Sequence, residues 1–435
     1  NTNKTLIYGS SLIECTGNVD DVIGSTKTWV IDNTPDIIGD LYLRIKVPID
    51  GTTETTNPRH IPQVGLLNLI ERIDIKVGSQ IWQSINRETL YNLLITELSS
   101  NQFNDMAETL SGVNSKSTDG PNHIDEKYGG YTSVITSVGT NSMLEPEAFI
   151  PLLMFTKNYT GTKTPFNSIN ESGYLSCAAP DQQFSVQLFL SNGKTHWLSA
   201  QSTNSSPRSN SAYALCDTVK VQTQLYYRQI MMSNIERSSI VNAPSGIPMR
   251  IKLTQEIPNI DVNSKSLRID CSRFNIFGSH IIVNMPLRPV ESDWGKLLVS
   301  KHRINFELTI NGTSLFGVMP GSAFISNVSG HYLGLEHNVA KLSTNSTQVT
   351  GQGQEFSLFV PSLNWTYVIP LASTAYGGSS LPLNRFDNII LSITEFEAGE
   401  GENNKPVFAT NGATVTCVGE SVAIYKDGGA SISTF

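Results

Sequence analysis

The chain has 435 residues, a formal charge of −8 and only 16% charged residues, against about 25% in a typical soluble domain. Length alone points to two domains, with three as the upper choice. The acidic balance excludes a protein that packages nucleic acid by neutralising phosphates, and no apolar run approaches the roughly 20 residues of a membrane-spanning helix.

Ser, Thr, Asn, Gly and Pro take the place of the usual Lys and Glu, as suits a turn-rich β protein. The first residues, Asn1-Thr2-Asn3-Lys4, lack an initiator Met and lead into no apolar core of signal-peptide length. They read as the start of a processed or trimmed chain. Leu41, Leu43, Ile45 and Val47 alternate with Tyr42, Arg44 and Lys46 before Pro48, which predicts a half-buried strand. Ile73, Ile75 and Val77 alternate likewise, turn at Gly78-Ser79 and return through Ile81 and Trp82 as a hairpin. Leu90, Leu94 and Leu98, with Tyr91 and Ile95 beside them, fall at helical spacing and predict one helix from about Asn86 to Ser99. Ser100–Met143 is a long, weakly patterned loop, and Phe149–Phe155 is a compact apolar run broken by Pro151.

Phe184, Val186, Leu188 and Leu190 alternate and end at the Asn192-Gly193 turn, which opens a polar loop to Ser211. Val219, Val221, Thr223 and Leu225 form the next strand, after which Arg228–Pro244 reads as a linker. A second unit starts near Ile247-Pro248. There Ile304, Phe306, Leu308 and Ile310 alternate up to the Asn311-Gly312 turn. Ile389, Leu391 and Ile393 alternate again, followed by Val415, Cys417, Val422 and Ile424, with short loops at Thr374–Ser380 and Ala398–Lys405.

Landmarks recur in order. Arg72-Ile73-Asp74-Ile75 is echoed by Arg303-Ile304-Asn305-Phe306, Ile150-Pro151-Leu152 by Ile369-Pro370-Leu371, and the strand Phe184–Leu190 by Ile389–Ile393. The offsets shrink along the chain, which predicts two copies of one β domain with shorter insertions in the second. The division that follows is an arm over 1–27, a first domain over 28–229, a linker over 230–246 and a second domain over 247–435.

No catalytic constellation is present: there is no Walker A loop, GxGxxG, HExxH or GxSxG. The five cysteines, Cys15, Cys177, Cys216, Cys271 and Cys417, are scattered, odd in number and form no CxxC, so they read as buried free thiols. Of the seven histidines at 60, 123, 196, 280, 302, 331 and 337, His331 and His337 lie in a Gly-rich segment without ligand partners at metal spacing. Asp119, Asn122, Asp125 and Glu126 lack the alternation of a calcium loop, and Glu395, Glu397, Glu400 and Glu402 read as a solvated acidic patch. Sequons at Asn3, Asn158, Asn170, Asn204, Asn311, Asn327, Asn345 and Asn364 read as accidents of a chain rich in Asn, Ser and Thr. No catalytic, cofactor or metal residue is assigned.

Four segments carry a family resemblance: Leu66–Gln80, containing Arg72-Ile73-Asp74-Ile75-Lys76-Val77-Gly78-Ser79-Gln80; Phe149-Ile150-Pro151-Leu152-Leu153-Met154-Phe155; Leu383–Thr394, containing Phe386-Asp387-Asn388; and the closing Ala423-Ile424-Tyr425-Lys426. Together they resemble the double jelly-roll major capsid proteins of icosahedral double-stranded DNA viruses, in the lineage of chlorella viruses, iridoviruses, virophages and polinton-like viruses. Leu6–Gly17 departs from the large-virus pattern. The resemblance implies an all-β fold of two tandem eight-stranded jelly-roll sandwiches, with long loops and a short helix in the first. It implies a structural virion protein, not an enzyme, that forms homotrimeric pseudo-hexagonal capsomers. Partners would be further copies in the lattice, penton proteins and minor capsid proteins, with no nucleic-acid contact; an inner membrane could underlie the shell without the chain entering it. The alternatives are a transient poxvirus-like scaffold of the same fold, a carbohydrate-binding β-sandwich protein, or a β-sandwich glycoside hydrolase.

Overall fold

The computed structural model describes residues 9–15, 20–46, 59–61, 65–98, 133–135, 147–153, 173–191, 198–200, 213–215, 220–243, 246–262, 266–286, 304–321, 323–324, 364–372, 380–395, 397–398, 407–408 and 413–433. Eight strands from the first half build its two principal sheets: β1 Gly9–Glu14, β2 Thr26–Ile31, β3 Ile37–Lys46, β4 Ile70–Val77, β5 Gln80–Asn86, β6 Glu147–Pro151, β7 Phe184–Leu190 and β8 Lys220–Met231. Eight come from the second: β9 Ile247–Ile260, β10 Ser266–Asp270, β11 Phe277–Pro286, β12 Asn305–Ile310, β13 Thr313–Ser314, β14 Asn364–Pro370, β15 Ile389–Thr394 and β16 Ala413–Lys426.

Their pairing is the central fact of the fold. The first eight form two antiparallel sheets in the orders β1-β8-β3-β6 and β2-β7-β4-β5. Adding eight to every label gives the other two sheets, β9-β16-β11-β14 and β10-β15-β12-β13. Two four-stranded antiparallel sheets closing over one core make a jelly roll, and this chain contains two. All three recurring sequence landmarks occupy equivalent strands: β4 with the start of β12, β6 with β14, and β7 with β15.

Period-2 burial explains the strands. Phe184, Val186, Leu188 and Leu190 of β7 are buried while Ser185, Gln187 and Phe189 are half-buried, and Ile389, Leu391 and Ile393 repeat the pattern in β15. The two-residue turn after β12 holds Asn311 at φ 48° and Gly312 at φ 81°, the left-handed pair that a tight hairpin requires. Helix α1, Arg87–Glu97, is capped by Asn86, whose side chain accepts from Thr89 N at 2.9 Å. It buries Leu90, Leu93 and Leu94.

Several elements depart from the sequence reading. The segment predicted as an arm over 1–27 contains β1, paired with β8, and Asp20–Val22, also paired with β8. The predicted linker contains α2, Asn234–Val241, whose cap Ser233 accepts from Glu236 N at 3.4 Å while its hydroxyl donates to the Glu236 carboxylate at 2.7 Å. The long loops of the first roll are not all irregular. Arg59–Ile61, Ser133–Ile135, Leu198–Ala200 and Tyr213–Leu215 come from three separate insertions and meet in a fifth sheet. Val415 to Ile424 lies in one 14-residue strand, and the Gly-rich tail turns at Asp427-Gly428 and pairs back as Gly429–Ser433.

Candidate functional site

Residues singled out for chemistry do not converge. Asp119–Glu126, His331, His337, Glu400, Glu402 and Cys216 lie outside the described residues. Glu395 follows β15 with a left-handed backbone, φ 65°, and Glu397 begins a two-residue strand. Of the sequon asparagines, Asn311 is at the β12–β13 turn, where its side chain accepts from Asn388 N at 3.1 Å, and Asn364 starts β14. Cys15, Cys177, Cys271 and Cys417 are buried free thiols, and burial pushes the first three up to about 12. Among the described residues, no group of three His, Cys, Asp or Glu side chains could hold a metal ion.

The polar residues that do converge lie between the two jelly rolls. The outer face of sheet β9-β16-β11-β14 is covered by β5 and α1 of the first roll. Gln83 Nε2 donates to Thr254 Oγ1, and Asn86 Nδ2 donates to Glu256 Oε1 at 2.8 Å. The Thr89 hydroxyl donates to the other Glu256 oxygen and lies 3.3 Å from Thr416 Oγ1. One helical turn on, Asn284 Nδ2 donates to Asn92 Oδ1 at 2.8 Å. The spacing Asn86, Thr89, Asn92 places these groups along one side of the helix and its cap. Thr89, Asn92, Asn284 and Thr416 are all buried. Sequence reasoning missed this stripe because it consists of ordinary polar residues at positions that a solvated helix face would also fill.

Two titratable groups are buried on the same sheet. Lys252 on β9 is pushed by burial down to about 7. His280 on β11 is pushed down to about 3 by burial, with the Lys252 charge adding to the effect. The Ser279 hydroxyl donates to Val418 O at 2.9 Å and lies 3.0 Å from His280 Nδ1. With the hydroxyl proton committed to the carbonyl, the neutral ring carries its proton on Nδ1 and donates it to Ser279. Glu256 is raised by burial, an effect that the Thr89 hydrogen bond opposes.

A second contact fastens the end of the chain to the first roll. Leu175 N donates to the Tyr425 hydroxyl at 3.2 Å, and the Tyr425 ring packs 5.7 Å from that of Tyr174. Tyr174 also meets Trp82 edge-on at 5.6 Å and Phe184 at 4.9 Å, so Tyr425 joins an aromatic cluster of the first roll. Asp181 N donates to Gly428 O at 3.2 Å and Ala430 N donates to Gln182 Oε1 at 2.8 Å. Gly428 is at φ 76°, and a Cβ there would sit 2.4 Å from Asp181 Oδ2, so the turn favours glycine at this position.

In this arrangement buried hydrogen bonds fix one sandwich against another. No family model and no curated protein matches the sequence. Solved structures do match. VP54 of PBCV-1 aligns over 99% of this chain and 97% of its own at 12% identity, TM-score 0.62. The Faustovirus major capsid protein aligns over 97% and 92% at 9% identity, TM-score 0.58. A chain in the cryo-EM structure of the Sputnik virophage aligns over 99% and 89% at 8% identity, TM-score 0.52. Across both halves, the chain has the double jelly-roll fold found in the Faustovirus major capsid protein.

Proposed function

We propose that the chain is the major capsid protein of an icosahedral double-stranded DNA virus, assembling as homotrimeric, pseudo-hexagonal capsomers in the virion shell. The observation that carries this reading is the repeated strand order. One subunit supplies two equivalent sandwiches locked at a fixed angle, so three subunits supply six, and a threefold assembly can fill a hexagonal position in a lattice. The likeness to VP54 and the Faustovirus protein over nearly the whole chain supports it. So does the low charge, which lowers repulsion between identical molecules packed side by side.

In this reading the first roll runs from β1 through β8, α2 is the linker, and the second roll starts at β9. The role is structural, with no catalysis and no cofactor. Penton and minor capsid proteins complete the shell, and an inner membrane could lie beneath it. Gel filtration with light scattering is expected to give three times 47.6 kDa, about 143 kDa. A monomer that binds glycans would favour the carbohydrate-binding alternative, and loss of sugar hydrolysis on replacing one carboxylate would establish the hydrolase. Electron microscopy separates capsid from transient scaffold: the protein coats mature particles in the first case and only immature ones in the second.

A further inference from the structure

The joint between the two rolls holds more than its hydrogen bonds. Thr254 accepts from Gln83 and Glu256 accepts from Asn86, so β9 side chains of that parity point at the first roll. Lys252 lies two residues before Thr254 and takes the same face. On β11, Asn284 donates to Asn92 of α1, which puts Ile282 and His280 on that face too. The register agrees: Thr254 and His280 both lie opposite Val418 of β16, one on each side of it. Lys252 and His280 are both buried, so a basic side chain from each of two strands is sealed in the joint. Glu420 lies opposite Lys252, and Pro370 of β14 lies opposite His280. Farther along the joint stand Glu256 and, from α1, Glu88 paired with Arg87, while Arg273 donates to Glu256 O at 2.7 Å.

Burial lowers Lys252 to about 7, so in acid it is already a cation when His280 takes up a proton. Opened to water, His280 titrates near 6.5 instead of about 3. A value lowered in the closed joint means that closure is fully favoured above the open value and loses ground as pH falls toward the closed one. Glu256 works the other way: burial raises it, so its protonation favours closure. It is only half-buried and the Thr89 hydrogen bond opposes its shift, whereas His280 is sealed. The tail contact rests on backbone groups, the Gln182 amide and the phenols of Tyr174 and Tyr425, which burial raises and which keep their protons in acid. We infer that the joint is an acid-operated hinge: proton uptake by His280 beside the Lys252 ammonium parts the second roll from β5 and α1, while both sandwiches stay folded and the tail contact holds. The inference concerns one chain and does not depend on what that chain assembles into.

The test reads thiol accessibility in the full chain. Thr254→Cys places a thiol inside the joint, and the native Cys271 and Cys417 already sit in the buried core of the second roll. The probe is dithiodipyridine, which labels thiols in acid as well as at neutral pH. Thr28→Cys, at an exposed strand position, gives the rate for an open thiol. Labelling is followed site by site by mass spectrometry from pH 8 to pH 4. Relative to that control, labelling at position 254 is expected to rise by up to about tenfold per pH unit below about pH 6, while Cys271 and Cys417 stay protected. With His280→Gln added, the rise is expected to vanish. Protection of position 254 at pH 4, labelling of positions 254 and 271 together, or a rise that survives His280→Gln each overturns the inference. Asn284→Cys and His280→Leu replace the first choices if either fails to fold, with the same outcomes deciding.

Discussion

Asn86 caps helix α1 and donates to Glu256 across the seam with the same side chain: its Oδ1 accepts from Thr89 N at 2.9 Å and its Nδ2 reaches Glu256 Oε1 at 2.8 Å. The start of the helix and the docking of the second roll are therefore one structural event. Replacement by Ala removes both bonds and is expected to cost about 2–3 kcal/mol, about 1 from the cap and the rest from a partly buried carboxylate deprived of a donor. Asn86→Asp keeps the acceptor for Thr89 but sets a second carboxylate against Glu256. Denaturant titration of both variants separates the roles. If the seam bond matters as much as the cap, Asp is as damaging as Ala despite being a good cap residue.

The buried histidine sets a pH limit. His280 is held near 3 in the fold and titrates near 6.5 when unfolded. A depressed folded value means that stability is complete above the unfolded value and is lost as pH falls toward the folded one. Between pH 7 and pH 5 the loss is expected to be about 2 kcal/mol, and His280→Leu is expected to flatten that part of the profile. Lys252, lowered to about 7, acts in a separate window, with stability falling as pH drops from about 10.5 to 7. Melting temperature against pH, with and without His280→Leu, checks both signs.

The tail contact divides into a hydrogen bond and a backbone constraint. Tyr425→Phe removes the hydroxyl that accepts from Leu175 N and is expected to cost about 1–2 kcal/mol while leaving the ring packing intact. Gly428→Val meets both the left-handed backbone and Asp181, so it is expected to cost more and to free the Gly429–Ser433 strand. Hydrogen exchange of residues 429–433 reads this directly: fast exchange in the Val variant and near-normal protection in the Phe variant.

Equivalent core positions test whether the two sandwiches unfold together. Leu188 of β7 and Leu391 of β15 are both fully buried, one in each of two equivalent strands. Each Leu→Ala change is expected to cost about 2–5 kcal/mol. If the buried seam couples the rolls, each variant shifts one common calorimetric transition. Two transitions, of which each variant moves only one, would show that the seam is weaker than the cores it joins.

Strands with one wet face were legible because their alternation survives in the sequence; β4, β7, β12 and β15 are of this kind. Two that were missed or read only as fragments, β9 and β16, are wrapped on both sides over much of their length. Met249, Ile251 and Leu253 of β9 enter the core while Lys252 and Thr254 are buried as well, on the face under the first roll. Residues 413–419 of β16 are all buried. A polar residue sealed under another sandwich has the same letter as one in water, so periodicity reports the core and not the seam. Helix α2 was different: Ser233 and Glu236 form a capping box that was present to be read, within a stretch assigned to a linker on composition. The duplication was legible because its landmarks, Arg72-Ile73-Asp74-Ile75 among them, belong to strand cores that both copies need.

The pairing of first strand with last has a consequence for synthesis. In each roll the opening strand lies against the closing one, β1 on β8 and β9 on β16. A ribosome must therefore release Met231 before the first sandwich can shut, and Lys426 before the second can. The surface awaiting α1 includes Thr416 of β16, so it exists only once translation has passed that strand. About 200 residues separate the two closures, roughly 10–40 s at ~5–20 residues per second. For that interval a finished first sandwich stands with the polar stripe of α1 uncovered, and the nascent chain has to be kept from its neighbours on the same polysome until its own second half arrives.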